Sequence, residues 1–162
     1  MRGFLTLSCA VAFAGTGFSQ TPGLRPSTAQ FVTVESGVSA SGVSPGGTVT
    51  LWVDVTPKSN IHVYAPGAKE FTAVAIVMTP RSGIAMGKPV YPRSELAPTA
   101  GVSAPVPMYR RMFRVAQPIT VGTSAKTGET ITLAGAVNYQ ACDDKICYPP
   151  ASIPALWSFT VK

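Results

Sequence analysis

The chain has little charge. Only 12% of its 162 residues are Asp, Glu, Lys or Arg, and it holds a single His. The 13 basic residues outnumber the 7 acidic ones, but they are dispersed, and the densest group is Arg110, Arg111 and Arg114. A nucleic-acid-binding role needs a basic run or stripe, so it is set aside; the formal charge of +6 reads as a solubility feature with some steering of acidic partners. Apolar spacing of helical period is also missing. The 15 Gly and 15 Pro, nearly a fifth of the chain, are scattered in punctuating pairs, which argues against long helices and against a collagen-like or linker-like block. Past the N-terminus every apolar stretch is broken by charge, Pro or Gly before it reaches the ~20 residues of a membrane helix. A single domain is expected at this length.

Cysteine is scarce too, with three in all. Met1 and Arg2 make a short basic start, Phe4 to Ala14 is almost wholly apolar, and Gly17-Phe18-Ser19 offers small residues where a signal peptidase reads. This pattern predicts a secretory signal peptide over 1–19, cleaved after Ser19, and an exported, periplasmic-type protein that is soluble after cleavage. Cys9 lies inside the apolar run rather than at its end, which argues against lipid attachment. Its removal leaves Cys142 and Cys147, an even pair in a compartment that permits disulfides.

What is present in quantity is period-two alternation. Residues 20–30 (QTPGLRPSTAQ) lack it and read as a flexible leader, so the domain is expected over 31–162. Val32 and Val34, then Val49, Leu51, Val53 and Val55, then Val74, Ile76 and Met78 alternate, as do Met108 to Val115, Ile131 to Tyr139, and Trp157, Phe159 and Val161. Pro45-Gly46-Gly47, Pro57 to Asn60, Pro66-Gly67, Pro80 to Gly83, Thr127-Gly128 and Pro149-Pro150 separate these runs as turns. Six to eight short strands without a helix predict an all-β fold, an immunoglobulin-like antiparallel β-sandwich. Gly87 to Val106, with four prolines, reads as a long surface loop, either functional or a plain insertion over one sandwich edge.

The chemistry concentrates at Asn138 to Pro150, NYQACDDKICYPP. A strand entering at Val137-Asn138-Tyr139 must turn at Asp143-Asp144-Lys145 and leave toward Tyr148, so the two cysteines can face each other across a hairpin. Closing so small a loop contributes only ~2 kcal/mol by the chain-entropy model. A staple and an exchange pair both remain open on spacing alone. Exchange requires in-line attack by a thiolate at an accessible loop, which a hairpin tip on a rigid sandwich supplies. Asp143 and Asp144 should raise the thiol pKa while Lys145 opposes them, which suits a pair awaiting a partner. Zinc would need more ligands than two Cys and His62, and blue copper needs a second His, so no metal is expected. Scattered Met78, Met86, Met108 and Met112 read as core filling. No motif of a Cys–His hydrolase stands out.

The same NYQACDDKICYPP stretch resembles the N-terminal periplasmic domain of the thiol:disulfide interchange protein DsbD, the disulfide bond corrector family. Ile61 to Tyr64 with Ala65-Pro66-Gly67, Tyr91-Pro92 with Glu95, and Tyr109 to Phe113 are similar to earlier parts of it, and the resemblance runs over roughly Gly46 to Lys162. It implies an immunoglobulin-like domain whose cysteines carry electrons without a cofactor, as a protein-disulfide reductase component. The partners implied are thioredoxin-fold proteins as donor and acceptor, in disulfide isomerase or cytochrome c maturation pathways, with a membrane electron-transfer protein upstream. Cys142 and Cys147 would be the redox pair, with Cys147 forming mixed disulfides. His62, Tyr64, Tyr139, Asp143, Asp144, Lys145 and Tyr148 are the near-site candidates, and Gly87 to Val106 is the candidate for a loop covering the pair. The family carries an aromatic residue where this chain has His62. The chain ends at Lys162 without membrane or thioredoxin modules, so the expected electron donor is a separate protein. The alternative reading is a non-enzymatic immunoglobulin-like binding module with a structural hairpin bridge.

Overall fold

In the computed structural model, residues 27–99 and 101–162 are described. The signal peptide expected over 1–19 lies outside them, as does most of the 20–30 leader. The end of that leader segment, Ser27–Thr28, forms strand β1 against the strand that follows, so ordered structure begins a few residues before Phe31.

Two sheets form the sandwich. The first has the order β1-β2-β4-β10-β7, with β2 Val32–Val38, β4 Thr48–Pro57, β10 Phe113–Val121 and β7 Ile84–Met86. The second has the order β3-β13-β11-β6, with β3 Gly42–Val43, β13 Ala151–Val161, β11 Thr130–Tyr139 and β6 Ala75–Met78. All pairings in them are antiparallel except that of β3 with β13. The alternation read from sequence sets which residues turn inward. Val49, Leu51, Val53 and Val55 of β4 and Ile153, Ala155, Trp157, Phe159 and Val161 of β13 are all buried, while their neighbours along each strand are more exposed. These two rows meet in one core with Val115, Ile119, Val121, Ile131, Leu133 and Val137. Trp157 is completely buried and its Nε1 donates to the Trp52 carbonyl of the facing sheet at 3.0 Å, so the ring packs without an orphaned donor. This is the immunoglobulin-like β-sandwich predicted from the strand pattern.

A third, smaller sheet accounts for most of the difference between six to eight expected strands and those observed. Its order is β12-β5-β9-β8, with β12 Ala141–Cys142, β5 His62–Tyr64, β9 Val106–Tyr109 and β8 Glu95–Ala97. Two features of the sequence pattern are resolved by it. The run from Met108 to Val115, read as one strand, is two strands in different sheets, because the chain turns a corner at exposed Arg110, Arg111 and Met112, with Tyr109 and Phe113 stacked 4.0 Å apart across it. The segment Gly87 to Val106, read as a loop, contains β8 and a bridge from Val90 to Ala116. Its prolines, Pro89, Pro92, Pro98 and Pro105, all fall outside the strands, where a missing N–H leaves no ladder bond unmade.

Candidate functional site

The site is built on the third sheet by the same alternation that builds the sandwich. Val63 of β5, Ala141 of β12 and Tyr109 of β9 belong to the sandwich core. Their strand neighbours Tyr64, Cys142 and Met108, facing the other way, form a second buried cluster with Ala68 and Val106. The register brings Cys142 opposite His62, and Tyr64 opposite Met108. His62 and Tyr64, two residues apart, therefore share the face that carries the cysteine.

Cys142 and Cys147 form a disulfide, with Cα atoms 4.0 Å apart across an isolated antiparallel bridge. The hairpin between them is organised by Asp143. Its Oδ1 accepts the backbone N–H groups of Lys145 at 2.7 Å and Ile146 at 2.8 Å, and its Oδ2 accepts the Tyr148 hydroxyl at 2.7 Å. An Asp that captures the amide two residues on is the side-chain mimic of a backbone turn. The Ile146 amide, the Tyr148 hydroxyl and the Lys145 amide, in that order, hold the Asp143 carboxyl below its ordinary value, and the Tyr148 phenol is correspondingly pushed up. Tyr148 also stacks on Phe31, 3.9 Å between ring centres, which ties the hairpin to the sandwich. Asp144 and Lys145 are exposed at the tip.

Gln140, whose role the sequence did not reveal, anchors the base of the hairpin. Its Oε1 accepts the Thr72 amide at 2.9 Å, its Nε2 donates to the Tyr148 carbonyl at 3.1 Å, and its own carbonyl accepts the Tyr64 amide at 3.4 Å. The chain after β5 is returned over the site by the Pro66-Gly67 turn, where Ala68 N–H bonds to the Ala65 carbonyl at 3.2 Å and Gly67 takes φ of 99°, a left-handed conformation that favours glycine. The return lays Phe71 on Tyr64 in a stack of 3.9 Å. Position 71 is apolar in a short segment without periodicity, so no local pattern distinguished it.

Tyr64 is fully buried, and its hydroxyl lies 3.2 Å from Sγ of Cys142 and 3.3 Å from Sγ of Cys147. Disulfide sulfurs carry no hydrogen, so the phenol is the donor toward both. Burial pushes the Tyr64 phenol up, offset in part by the nearby Thr99 hydroxyl, which does not reach hydrogen-bond geometry. The phenol therefore stays protonated, and available as a donor, throughout the neutral range. His62 packs edge-on to Tyr64 at 5.5 Å; burial first, then Arg110, lowers its pKa, while Asp144 and Asp143 act the other way.

The two sulfurs differ in access. Cys142 is completely buried, whereas Cys147 is exposed on the far limb of the hairpin beside exposed Ile146. A cavity of about 310 Å³ opens onto the pair, lined by His62, Tyr64, Arg110 and the hairpin, and roofed by Pro98 and Thr99 from the segment proposed as a cover. That cover is partial, because Cys147 remains exposed beneath it. Of the sequence candidates, His62, Tyr64, Asp143, Asp144 and Lys145 line this cavity with the cysteines. Tyr148 supports the hairpin from behind, and Tyr139 is placed elsewhere, 1% exposed in the sandwich core. Pro98 and Thr99 come from the connection after β8, within the Gly87 to Val106 segment, and Arg110 comes from the corner after β9, a residue that no local motif announced. Among the described residues no group of His, Cys, Asp and Glu is arranged to hold a metal ion.

The disulfide hairpin lies within the part of the chain that a family model matches. Residues 28–154 match the family model of the thiol:disulfide interchange protein DsbD, N-terminal. The chain belongs to the DsbD N-terminal domain family. Membership and the Cys142–Cys147 disulfide together support a thiol–disulfide exchange role. Among solved structures, the chain is similar to the N-terminal periplasmic domain of ScsB from Proteus mirabilis, with a TM-score of 0.54 and 17% identity over 81% of this chain and 49% of that one. It is also similar to the DsbD N-terminal domain of Neisseria meningitidis in the reduced form, with a TM-score of 0.48 and 18% identity over 68% of this chain and 77% of that one. No curated protein matches its sequence. At 17% identity the ScsB domain speaks for the sandwich alone, while the assignment to the DsbD N-terminal family rests on the family model.

Proposed function

We propose that this protein is a periplasmic thiol:disulfide exchange carrier that passes reducing equivalents between thioredoxin-fold partners, in a disulfide isomerase or cytochrome c maturation pathway, with a membrane electron-transfer protein upstream. The observation that carries this reading is the unequal access of the two sulfurs: Cys147 is exposed and Cys142 is buried. A partner thiolate attacks Sγ of Cys147, the intramolecular S–S bond breaks, and Cys142 leaves as a thiolate facing the Tyr64 hydroxyl. The partner's second thiolate then attacks the partner's own sulfur in the mixed disulfide, releasing Cys147 as a thiolate that takes up a proton, and the partner departs oxidised. Two electrons have passed to the cysteine pair. Delivery to an oxidised acceptor runs the same steps in reverse, with Cys147 attacking and Cys142 resolving.

Cys142→Ser is expected to accumulate a mixed disulfide through Cys147 with a thioredoxin-fold protein in periplasmic extracts. Recovery of no such protein, together with a reduction potential below about −300 mV, would identify the bridge as a structural staple; a value in the range of roughly −270 to −120 mV is expected for a carrier.

A further inference from the structure

Exchange at Cys147 creates a problem at Cys142. The leaving sulfur is released as an anion at a fully buried position, and a thiolate without compensating charge or proton is strongly disfavoured there. Tyr64 supplies a hydrogen bond but no net charge, and burial of its phenol opposes loss of its proton. His62 is the residue directly opposite Cys142 in the β5–β12 register, which sets their Cβ atoms on one face at cross-strand distance, typically about 5 Å. It is 6% exposed, lines the same cavity as both sulfurs, and its Nε2 is buried with no hydrogen-bond partner. Buried polar atoms are nearly always satisfied, so an orphan beside a reacting group calls for an explanation, and a redox role is one.

We propose that His62 is the proton-handling partner of the Cys142 sulfur: its imidazole takes a proton from cavity solvent as the disulfide opens, compensates the Cys142 thiolate, and can pass that proton to the sulfur to give the neutral thiol. The inference rests on exchange through Cys147. Each opening consumes one S–S bond, forms one mixed S–S bond, and leaves one negative charge at Cys142, which the imidazolium matches and one proton neutralises. In the oxidised state His62 faces Arg110 from the β9–β10 corner, Asp143, Asp144 and Lys145 from the hairpin, and Tyr64 on its own strand. Burial and Arg110 keep it neutral there, with the two Asp residues opposing. A new anion at Cys142 therefore tips it toward the charged form, so proton uptake is coupled to reduction rather than constitutive.

The test reads protonation directly and needs no partner protein. In wild type, the His62 imidazole pKa followed by NMR should be about one unit higher in the reduced protein than in the oxidised protein under conditions where the thiolate is present. In a Cys9→Ser, Cys147→Ser background, where Cys142 is the only thiol, His62→Phe should lower the thiolate fraction at neutral pH about tenfold, read from thiolate ultraviolet absorbance against pH. His62→Gln, which keeps a polar side chain but cannot carry charge, should behave like His62→Phe, separating charge from packing. Equal His62 titration in the two redox states, or an unchanged Cys142 titration in folded His62→Gln, would overturn the assignment. Trapping of a partner through Cys147 would stand in that case, and a failure to trap would leave these titrations unaffected, so the two readings fail separately.

Discussion

At the scale of single residues, the site is decided by one hydroxyl. The Tyr64 phenol is within 3.3 Å of both sulfurs and is held by the Phe71 stack on one side and the edge of His62 on another. A hydrogen bond to sulfur is stronger when the sulfur is a thiolate than when it is in a disulfide, so the phenol favours the reduced state. Tyr64→Phe keeps the stack and removes that preference. The variant should fold with a stability within about 1 kcal/mol of wild type, yet its disulfide should be harder to reduce in a glutathione redox titration. An unchanged midpoint would mean that the phenol serves packing alone.

At the scale of elements, the hairpin of 140–150 is a long connection between β11 and β13 that folds back to extend the third sheet. Its shape depends on the Asp143 carboxylate, which must be ionised to accept three donors. Because the folded-state pKa of Asp143 is depressed below its ordinary 3.8, the unfolded chain binds the proton first as pH falls. The contribution of Asp143 is therefore complete above about pH 3.8 and is lost as pH drops through the lower folded-state value. Asp143→Ala should speed amide hydrogen exchange at Lys145 and Ile146 at neutral pH, while the amides of β4 and β13 keep their protection. Acidification of the wild type should reproduce the same local loosening. Protection at Lys145 and Ile146 that survives the substitution would show that the hairpin is held by its bridge and Gln140 without the turn.

At the scale of the whole molecule, stability and chemistry are assigned to separate clusters. The sandwich core carries the stability, and the smaller cluster of Tyr64, Ala68, Val106, Met108 and Cys142 carries the site. Leu51→Ala, in the fully buried centre of β4, should cost about 2–5 kcal/mol in denaturant unfolding. Phe71→Ala, at a half-buried position stacked on Tyr64, should cost less but loosen the Tyr64 ring that backs the sulfurs, so that a small thiol such as dithiothreitol reduces the disulfide faster than in wild type. If both substitutions changed stability alike and left that rate unchanged, the two clusters would be one unit.

The alternation of apolar residues along β4, β11 and β13 was enough to determine the sandwich, because a strand half buried against a partner sheet repeats every two residues in the chain itself. The pairing of Cys142 with Cys147 was equally legible, since both lie within one short hairpin and the Asp143 turn is written beside them. Their unequal burial was not legible. It comes from the register that sets Cys142 against His62, from the Gly67 turn that returns Phe71 to Tyr64, and from Thr99 and Arg110 arriving from the connections after β8 and β9. Apart from the Phe71–Tyr64 stack, these are contacts between residues far apart in the chain, and a local pattern records only how each residue faces its own strand. Tyr139 is the reverse case: three residues from Cys142, it was read as a site neighbour, but the period-two run along β11 that the sequence already displays places it in the sandwich core.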